Sequence, residues 1–598
     1  MQRVEMDNVA SLYASRHPNW ALGSASRFHF GIEEIKLESG DKIRPQASGV
    51  TVIVGSNNAG KSTILRELQQ WMQHYPGQPR PPRISVESVT LNTRGNDADL
   101  IAWIGQGSPF VINEATMGFA RGGGIHDPTN LAYLWGQPSN GVGDLAQFFI
   151  FYGNAAGRFS IGGSAEMRES GDDPATHPIH ALQDSRELRD RLTATSQQVF
   201  GKPLTLDSLG RTVRLRVGEV DSPAPPIDDI PPAYRAAMAA LRPLDEQGDG
   251  MRGFFGQVLP VIAATFPVII LDEPEAFLHP PQAHALGAEL GTLAVERGVQ
   301  IIVATHDRSL LTGLLDSGVQ VSVVRASRGE GATRVHQLDS DRLQELWHDP
   351  VLKYTNVLDG LFHRVVVLAE AEGDCAYLNA GMDSAHGGAY TLPRNEVLFV
   401  PTGGKDAMWK VANTLRAVAV PVVAAPDLDM LNDEGSLGKL VDAMGGEWDA
   451  GLRTLWKRAT AAQRAPREPV TVSYVLDAIE ALFNNRRDEP FVAATRDELF
   501  AQARSRESPW ADVKAYGVEA FRGEARGALL ELLERLESVG IVLVRDGELE
   551  RLAPEVVARK GPGWLREALS ISAQGNERTQ KHLERIVDAS KAVLGQSG

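Results

Sequence analysis

The stretch Thr51-Val-Ile-Val-Gly55-Ser-Asn-Asn-Ala-Gly60-Lys61-Ser62-Thr63 decides how the first half of this chain folds. Val50–Val54 is a short apolar, β-branched run and reads as a buried strand, while residues 62–74 read as a helix. Between them lies Gly-x-x-x-x-Gly-Lys-Ser. Glycines let backbone N–H groups wrap around a polyphosphate, and the helix N-terminus adds a favourable dipole. Gly55, Asn57, Asn58, Ala59 and Gly60 form the expected cradle. Lys61 is expected to reach the outer phosphates and Ser62 to hold Mg2+, with Thr63 also among the nucleotide-binding residues. A glycine turn before any helix is the plainer reading, but it needs no Lys-Ser pair.

Two further strand ends fit the same site. Val268-Ile-Ile-Leu-Asp272-Glu273-Pro274 delivers Asp272 to the metal shell and Glu273 to polarise an attacking water. Ile301-Ile-Val-Ala-Thr305-His306-Asp307 ends another buried strand in a histidine, which resembles the γ-phosphate switch of ABC ATPases. Just upstream of Asp272, Gln247-Gly-Asp-Gly250-Met-Arg252 resembles a degenerate ABC signature without its usual serine. That resemblance implies ATP and Mg2+ clasped between two heads, hence a homodimer or larger oligomer.

Composition sets the bounds. At 598 residues, two to four domains are expected. Apolar content of 43% and charged content of 23% are those of an ordinary globular protein. The one cysteine, Cys375, excludes a disulfide framework and fits a reducing cytoplasm. No stretch reads as a signal peptide or membrane span, so no membrane partner is expected. A net charge of −16 argues against a surface that coats nucleic acid throughout. Local basic strips remain at Arg211/Arg214/Arg216, Lys457–Arg467, Arg486/Arg487 and Arg504/Arg506, although scattered arginines are more often a solvated face.

Residues 27–54 alternate at Phe28, Phe30, Ile32, Ile35 and Leu37, as strands do. Residues 75–145, rich in Gly, Pro and Asn, read as loops and short strands, and 185–200 and 232–242 read as helices. A second alternation begins near His363: strand Val365–Leu368, helix Asp374–Ala380, strand Val397–Pro401, helix Lys405–Val418, strand Val422–Ala425. Such an order predicts a parallel sheet. Residues 430–537 are charged and mostly helical, and a last strand is expected at Ile541–Val544. No heptad pattern is sustained, which excludes long coiled-coil arms.

The second alternation carries its own acids. Glu370 follows one strand, four residues before Asp374, and Asp427-Leu428-Asp429 follows another. Parallel strands bring both to one sheet edge. Clustered carboxylates repel one another unless a hard cation sits between them, the arrangement of Mg2+ or Mn2+ in phosphoryl transfer. This is the Toprim pattern. Together with Gly55–Thr63, Asp272–His279, Ala304–His306, Gly403-Gly404-Lys405-Asp406 and the late Gly547-Glu548-Leu549-Glu550, it resembles the OLD (overcoming lysogenization defect) family of ATPase–nucleases over most of the chain. The family's Glu-Gly after the first strand reads Glu370-Ala371 here, which leaves Glu370 and Glu372 both as candidates.

The resemblance implies an α/β chain: an ABC-type ATPase head over 1–348 with an insertion at about 75–245, then a Toprim domain over 349–598 with a helical insertion at about 430–537. It also implies a late acid, Glu550 or Glu548, and a basic residue, Lys560, completing a two-metal centre. The expected function is ATP binding and hydrolysis joined to metal-dependent DNA cleavage or nicking in the cytoplasm, in phage defence or DNA repair, with either sign of ATP control open and a neighbouring gene's product as a possible partner. The alternatives are a RecF-like DNA-binding ATPase and an ATP-gated switch acting through a partner, each with an inactive Toprim module. A small-molecule P-loop kinase seldom pairs Asp-Glu with the histidine.

Overall fold

The computed structural model describes residues 2–3, 23–56, 58–80, 82–112, 117–121, 124–137, 141–154, 157–168, 175–226, 228–263, 266–328, 332–338, 340–341, 343, 347, 356–384, 392–417, 419–465, 471–484, 486, 489–492, 495–496, 498–499, 510–558 and 560–596. The chain divides into two compact units, Met1–Lys353 and Tyr354–Gly598. The expected division at 348/349 falls among residues outside that description.

In the first unit the elements that position the site are β1 (His29–Leu37), β2 (Gly49–Val54), α1 (Lys61–Gln73), β3 (Val86–Arg94), β4 (Ile150–Gly153), α2 (Asp249–Ala263), β5 (Val268–Asp272), α3 (Pro280–Arg297), β6 (Gln300–Ala304), α4 (Arg308–Asp316), β7 (Val321–Arg328) and β8 (Thr333–Leu338). Six of these strands form one sheet in the order β8-β7-β2-β6-β5-β4, parallel except for the edge strand β8. The central strands are buried on both faces, which is why they read as continuous apolar runs rather than alternations.

Register settles where the site lies. Ile53 of β2 pairs with Ala304 of β6, and Ala304 pairs with Asp272 of β5. The glycine loop, His306 and Asp272 therefore leave the sheet at one edge, where parallel sheets take ligands. Three caps fix the helices behind it. Gly60 (φ 94°) precedes α1, Pro280 and Pro281 open α3, and the Asp307 side chain accepts from Leu310 N at the start of α4.

Residues 75–145 are more regular than the Gly- and Pro-rich reading expects. Here β3 pairs along β1, and helix Asp97–Gly107 begins with an Asn96–Asp99 capping box. The reason is tertiary. Phe28, Trp103, Trp135 and Phe149 pack in one cluster of stacked and tilted rings and order the segment around it.

The second unit holds β9 (Val365–Ala369), α5 (Glu372–Asp383), β10 (Val397–Pro401), α6 (Lys405–Ala417), β11 (Val422–Ala424), α7 (Trp510–Tyr516) and α8 (Glu577–Gln596). Its sheet runs β10-β9-β11, all parallel. The expected strand at Ile541–Val544 is corrected. This segment lies beside β11 through two isolated parallel bridges, Ala424 to Ile541 and Asp427 to Val544. Residues 540–544 make three backbone bonds there, too few for a regular strand: Ala424 N to Gly540 O, Val542 N to Ala424 O, and Val544 N to Pro426 O. Tyr377 of α5 hydrogen-bonds Thr579 of α8 at 2.8 Å. Among the described residues, no helix is long and apolar enough to cross a membrane.

Candidate functional site

The first cluster is the glycine loop and the strand ends beside it. Gly55 (φ 148°) and Gly60 (φ 94°) occupy backbone regions that favour glycine, and a Cβ at Gly55 would run into Ala326 O. Lys61 is buried and donates to Gly55 O at 2.8 Å and Ser56 O at 3.1 Å. Burial lowers its ammonium, and Glu273, Asp272 and Glu275 oppose that. Asn58 holds a left-handed backbone (φ 67°), Ala59 is buried, and Thr63 lies in the first turn of α1. Asn57 lies outside the described residues.

Ser62 Oγ donates to Asp272 Oδ1 at 2.9 Å. Burial pushes the Asp272 carboxyl up, partly offset by the Ser62 hydrogen bond. Glu273 sits at φ 48° with its N–H on Ala304 O, so the strand turns sharply there. Its Oε1 lies 3.2 Å from His306 Nδ1. The expected pair of acid and histidine is therefore in direct contact.

Sequence reasoning passed over three side chains here. Glu275 is buried, and its Oε1 accepts from Thr305 Oγ1 at 2.7 Å and from His306 N at 3.3 Å, fixing the histidine's backbone. Only its place two residues after Glu273 hints at this. Tyr152, at the end of β4, hydrogen-bonds Asp272, and burial together with that carboxylate pushes its hydroxyl up to about 12. Glu67 of α1 accepts three backbone N–H groups, from Ile84, Ser85 and Val86 at 2.7–2.9 Å, and ties α1 to the start of β3. The segment resembling a signature opens α2, where Gly250 lies against Phe277 O.

The second cluster lies at the sheet edge of the other unit. Glu370 follows β9, and its Oε1 accepts from Asp427 N at 3.2 Å. Burial raises its carboxyl. Glu372 is exposed at the start of α5, whereas Asp374 caps Ala371 N and is raised by burial. Asp427 is buried, and its Oδ1 accepts from Leu549 N at 2.9 Å. Burial and the neighbouring Glu370 push it up to about 8. Cys375 beside them is buried, its thiol pushed up to about 12 by burial and Asp374.

Three lysines enter this acid cluster. Lys405 Nζ lies 3.2 Å from Asp429 Oδ1, and Lys514 Nζ lies 2.9 Å from Asp429 Oδ2 and 3.3 Å from Glu548 Oε1. Lys560 Nζ stands 3.2 Å from Glu550, 3.7 Å from Glu548 and 3.8 Å from Asp427. Burial pushes Asp429 up, yet Lys514 and Lys405 outweigh it and hold the carboxyl below its usual range. Burial depresses Lys560, but Asp427, Glu550 and Glu548 outweigh that and raise it.

The structure thus brings Glu370, Asp374, Asp427, Asp429, Glu550 and Lys560 to one edge. Among the described residues, no three His, Cys, Asp or Glu side chains stand ready to hold a metal ion. Like charges this close repel, and ammonium groups stand between them. The donor chemistry still suits a hard divalent cation: oxygen ligands only, from three chain segments, one of them disfavoured as a lone anion.

Among the described residues, several arginines of the basic strips are engaged with neighbours. Arg216 pairs with Asp207 at 2.6 Å, Arg214 bonds Thr212, Arg464 covers Trp456, and Arg486 pairs with Glu489 and Glu498. Residues 466–467, 487, 504 and 506 lie outside the described residues.

Comparison with known proteins bears on the first unit. The family described as AAA domain, putative AbiEii toxin, Type IV TA system, matches residues 237–312, which hold Asp272, Glu273 and His306. No curated protein matches the chain significantly. Solved structures similar to it include an SMC head bound to the C-winged helix domain of ScpA, at 12% identity and TM-score 0.32, covering 52% of this chain and 99% of that one. The SMC head of Pyrococcus furiosus with an extended coiled coil, bound to the C-terminal domain of ScpA, shows 11% identity and TM-score 0.30, covering 54% and 99%. The SMC head domain of Thermotoga maritima shows 12% identity and TM-score 0.26, covering 52% and 99%. The chain contains a P-loop ATPase domain of mixed α/β build, and such a domain takes ATP with Mg2+.

Proposed function

We propose that the chain is an ATP-hydrolysing, metal-dependent DNA endonuclease or nickase of the OLD type, its first unit an ABC-type head and its second a Toprim domain. The observation that carries the reading is Asp427. It is a buried carboxyl crowded by Glu370, Asp374 and Glu550 at a parallel-sheet edge, an arrangement costly to fold unless it serves a charge-bearing ligand.

In the first unit Lys61 would exchange the Gly55 and Ser56 carbonyls for phosphate oxygens. Ser62 and Asp272 would hold Mg2+, and Glu273, oriented by His306, would polarise the attacking water. Helix α2 would present its N-terminal N–H groups to nucleotide on a second copy, which makes the working form a dimer or larger.

In the second unit Glu370, Asp374, Asp427, Asp429 and Glu550 would hold Mg2+ or Mn2+. Bound metal supplies an acidified water and neutralises charge at the leaving 3′-oxygen. Lys560, paired with three carboxylates, would hold the developing charge on the phosphate. Phage defence or DNA repair is the setting this chemistry suits, with a neighbouring gene's product as a further partner.

Plasmid cleavage by the purified protein tests the reading, with Mg2+ or Mn2+, with and without ATP, beside an Asp427→Ala/Asp429→Ala variant. Metal-dependent nicking that the variant loses supports it. Intact ATP hydrolysis without cleavage under any condition overturns it.

One observation favours a second reading, an ATP-gated switch or RecF-like ATPase. Three lysines already occupy the acids, as they would in a module that has lost its metal. There, changing Asp427 and Asp429 would leave every DNA-dependent function intact.

A further inference from the structure

Lys514 belongs to none of the motifs. It sits on α7, inside the region read as a helical insertion, more than eighty residues beyond Asp429. Its ammonium nevertheless contacts two acids from different segments, Asp429 at 2.9 Å and Glu548 at 3.3 Å.

The placement is built rather than incidental. Val513 and Trp510 of α7 are buried, at 0% and 6% exposure, so the helix is docked by its apolar side. Two glycines permit a close backbone approach to the turn that carries the late acids. A Cβ at Gly547 (φ 112°) would run into Lys514 O, and one at Gly517 (φ 56°) into Arg545 O. Val518 N also donates to Arg545 O at 2.9 Å. The stem of Lys514 thus starts from a fixed point beside Glu548, while 43% of its side chain faces solvent.

The other lysines are held differently. Lys405 is 24% exposed and bonds the Asp429 carbonyl as well as its carboxylate. Lys560 answers three acids at once. Lys514 alone of the three combines a docked backbone, two acid partners and an ammonium partly open to solvent without a backbone carbonyl tie.

We propose that Lys514 serves the candidate nuclease centre in two ways: it holds Asp429, and through Glu548 the turn that carries Glu550, until a divalent cation takes Asp429, and it then grips a non-bridging oxygen of a DNA phosphodiester. The inference rests on the nuclease reading above. No bond is made or broken in this exchange: an ammonium trades two carboxylates for one phosphate oxygen. The physical basis is competition. An ammonium about 3 Å from a carboxylate and a divalent cation seek the same lone pairs, so removing one strengthens the other. Lysine suits the second task as a mobile point charge on a flexible stem.

The test uses the full-length protein without ATP, with two readouts: Mn2+ binding by electron paramagnetic resonance, and binding of a fluorescent DNA duplex in Mn2+. Lys514→Met should bind Mn2+ about fivefold more tightly, a Coulomb-sized effect near the surface. The same variant should bind DNA several-fold more weakly, with a salt dependence shallower by about one phosphate contact. Lys514→Arg should restore most of the DNA binding. The opposite signs matter, because a merely structural lysine would weaken both together.

Unchanged or weakened Mn2+ binding in Lys514→Met, with melting like the parent, overturns the proposal. A separate control guards the reading beneath it. If Asp427→Asn/Asp429→Asn binds as much Mn2+ as the parent, the metal centre itself is wrong, whatever Lys514 does.

Discussion

Ser62 Oγ and Asp272 Oδ1 lie 2.9 Å apart although 210 residues separate them in the chain. One ends the glycine loop and the other ends β5. Their contact is the geometry expected of two groups that share a metal's surroundings, one as ligand and one beside it. Ser62→Ala should reduce ATP turnover by roughly 10–100-fold, the usual effect of losing a group around a metal. Steady-state hydrolysis against Mg2+ concentration checks this, and a variant with the parent's Mg2+ dependence would refute the assignment.

Glu273 and His306 make a different prediction. Nδ1 of the histidine lies 3.2 Å from Oε1 of the carboxylate, so on the proposed reading it would orient that group. Glu273→Gln should keep ATP binding but lose roughly 10²–10⁴ in kcat, the span of a positioned general base. His306→Ala should lose less. Comparing nucleotide binding by fluorescence with single-turnover hydrolysis separates the two steps. Equal losses in binding and turnover would mean that Glu273 holds the nucleotide instead.

Glu67 predicts stability, not activity. Its carboxylate is buried and accepts three backbone N–H groups from residues 84–86. Removing it strands three donors, two of them buried, each charge-assisted bond being worth about 1.5–3 kcal/mol. Glu67→Ala should therefore destabilise the first unit by about 3 kcal/mol or more, read as an early unfolding transition in calorimetry. Glu67→Gln, which still accepts, should recover part of the loss. A variant melting with the parent would show that the bonds exchange freely with water.

What the sequence reveals divides by range. The glycine loop is legible because its chemistry lies within nine consecutive residues flanked by a strand and a helix. Asp272, Glu273 and His306 are legible because each ends a buried run. Glu275, Tyr152 and Glu67 are not, because their partners lie elsewhere in the chain and nothing local requires an acid or a phenol there. Lys514 is hidden for the same reason. Its helix reads as one more charged segment, and only the fold brings it beside Asp429. The stretch 75–145 misleads in part: its glycines and prolines suggest loops and short strands, and short strands are there, but so are helices Asp97–Gly107 and Pro128–Trp135, packed near an aromatic cluster around Phe149.

Asp427 gives the last prediction, and its sign follows from linkage. Burial and Glu370 raise its carboxyl from the usual range near 4 to about 8 in the folded chain. Between those two values the folded state holds a proton that the unfolded state has released. Stability must then fall as pH rises from about 4 to 8, and level off above. Glu370 and Asp374, also raised by burial, add to the same trend. Asp429 does the reverse: held low by its lysines, it stabilises above its unfolded value and loses that only in acid. The windows are therefore distinct. Metal-free Asp427→Asn should melt several degrees higher than the parent at pH 8.5, with the gap closing towards pH 5. Its amide can still accept from Leu549 N, so the turn should persist. Divalent metal competes with the proton for this carboxylate, so the parent's Mn2+ affinity should climb with pH until about 8, and the variant's should not. Melting curves at five pH values and Mn2+ titrations at the same values decide it. Parallel melting profiles for parent and variant would mean that Asp427 is ionised throughout, and that the charge crowding at this sheet edge is relieved by its lysines alone.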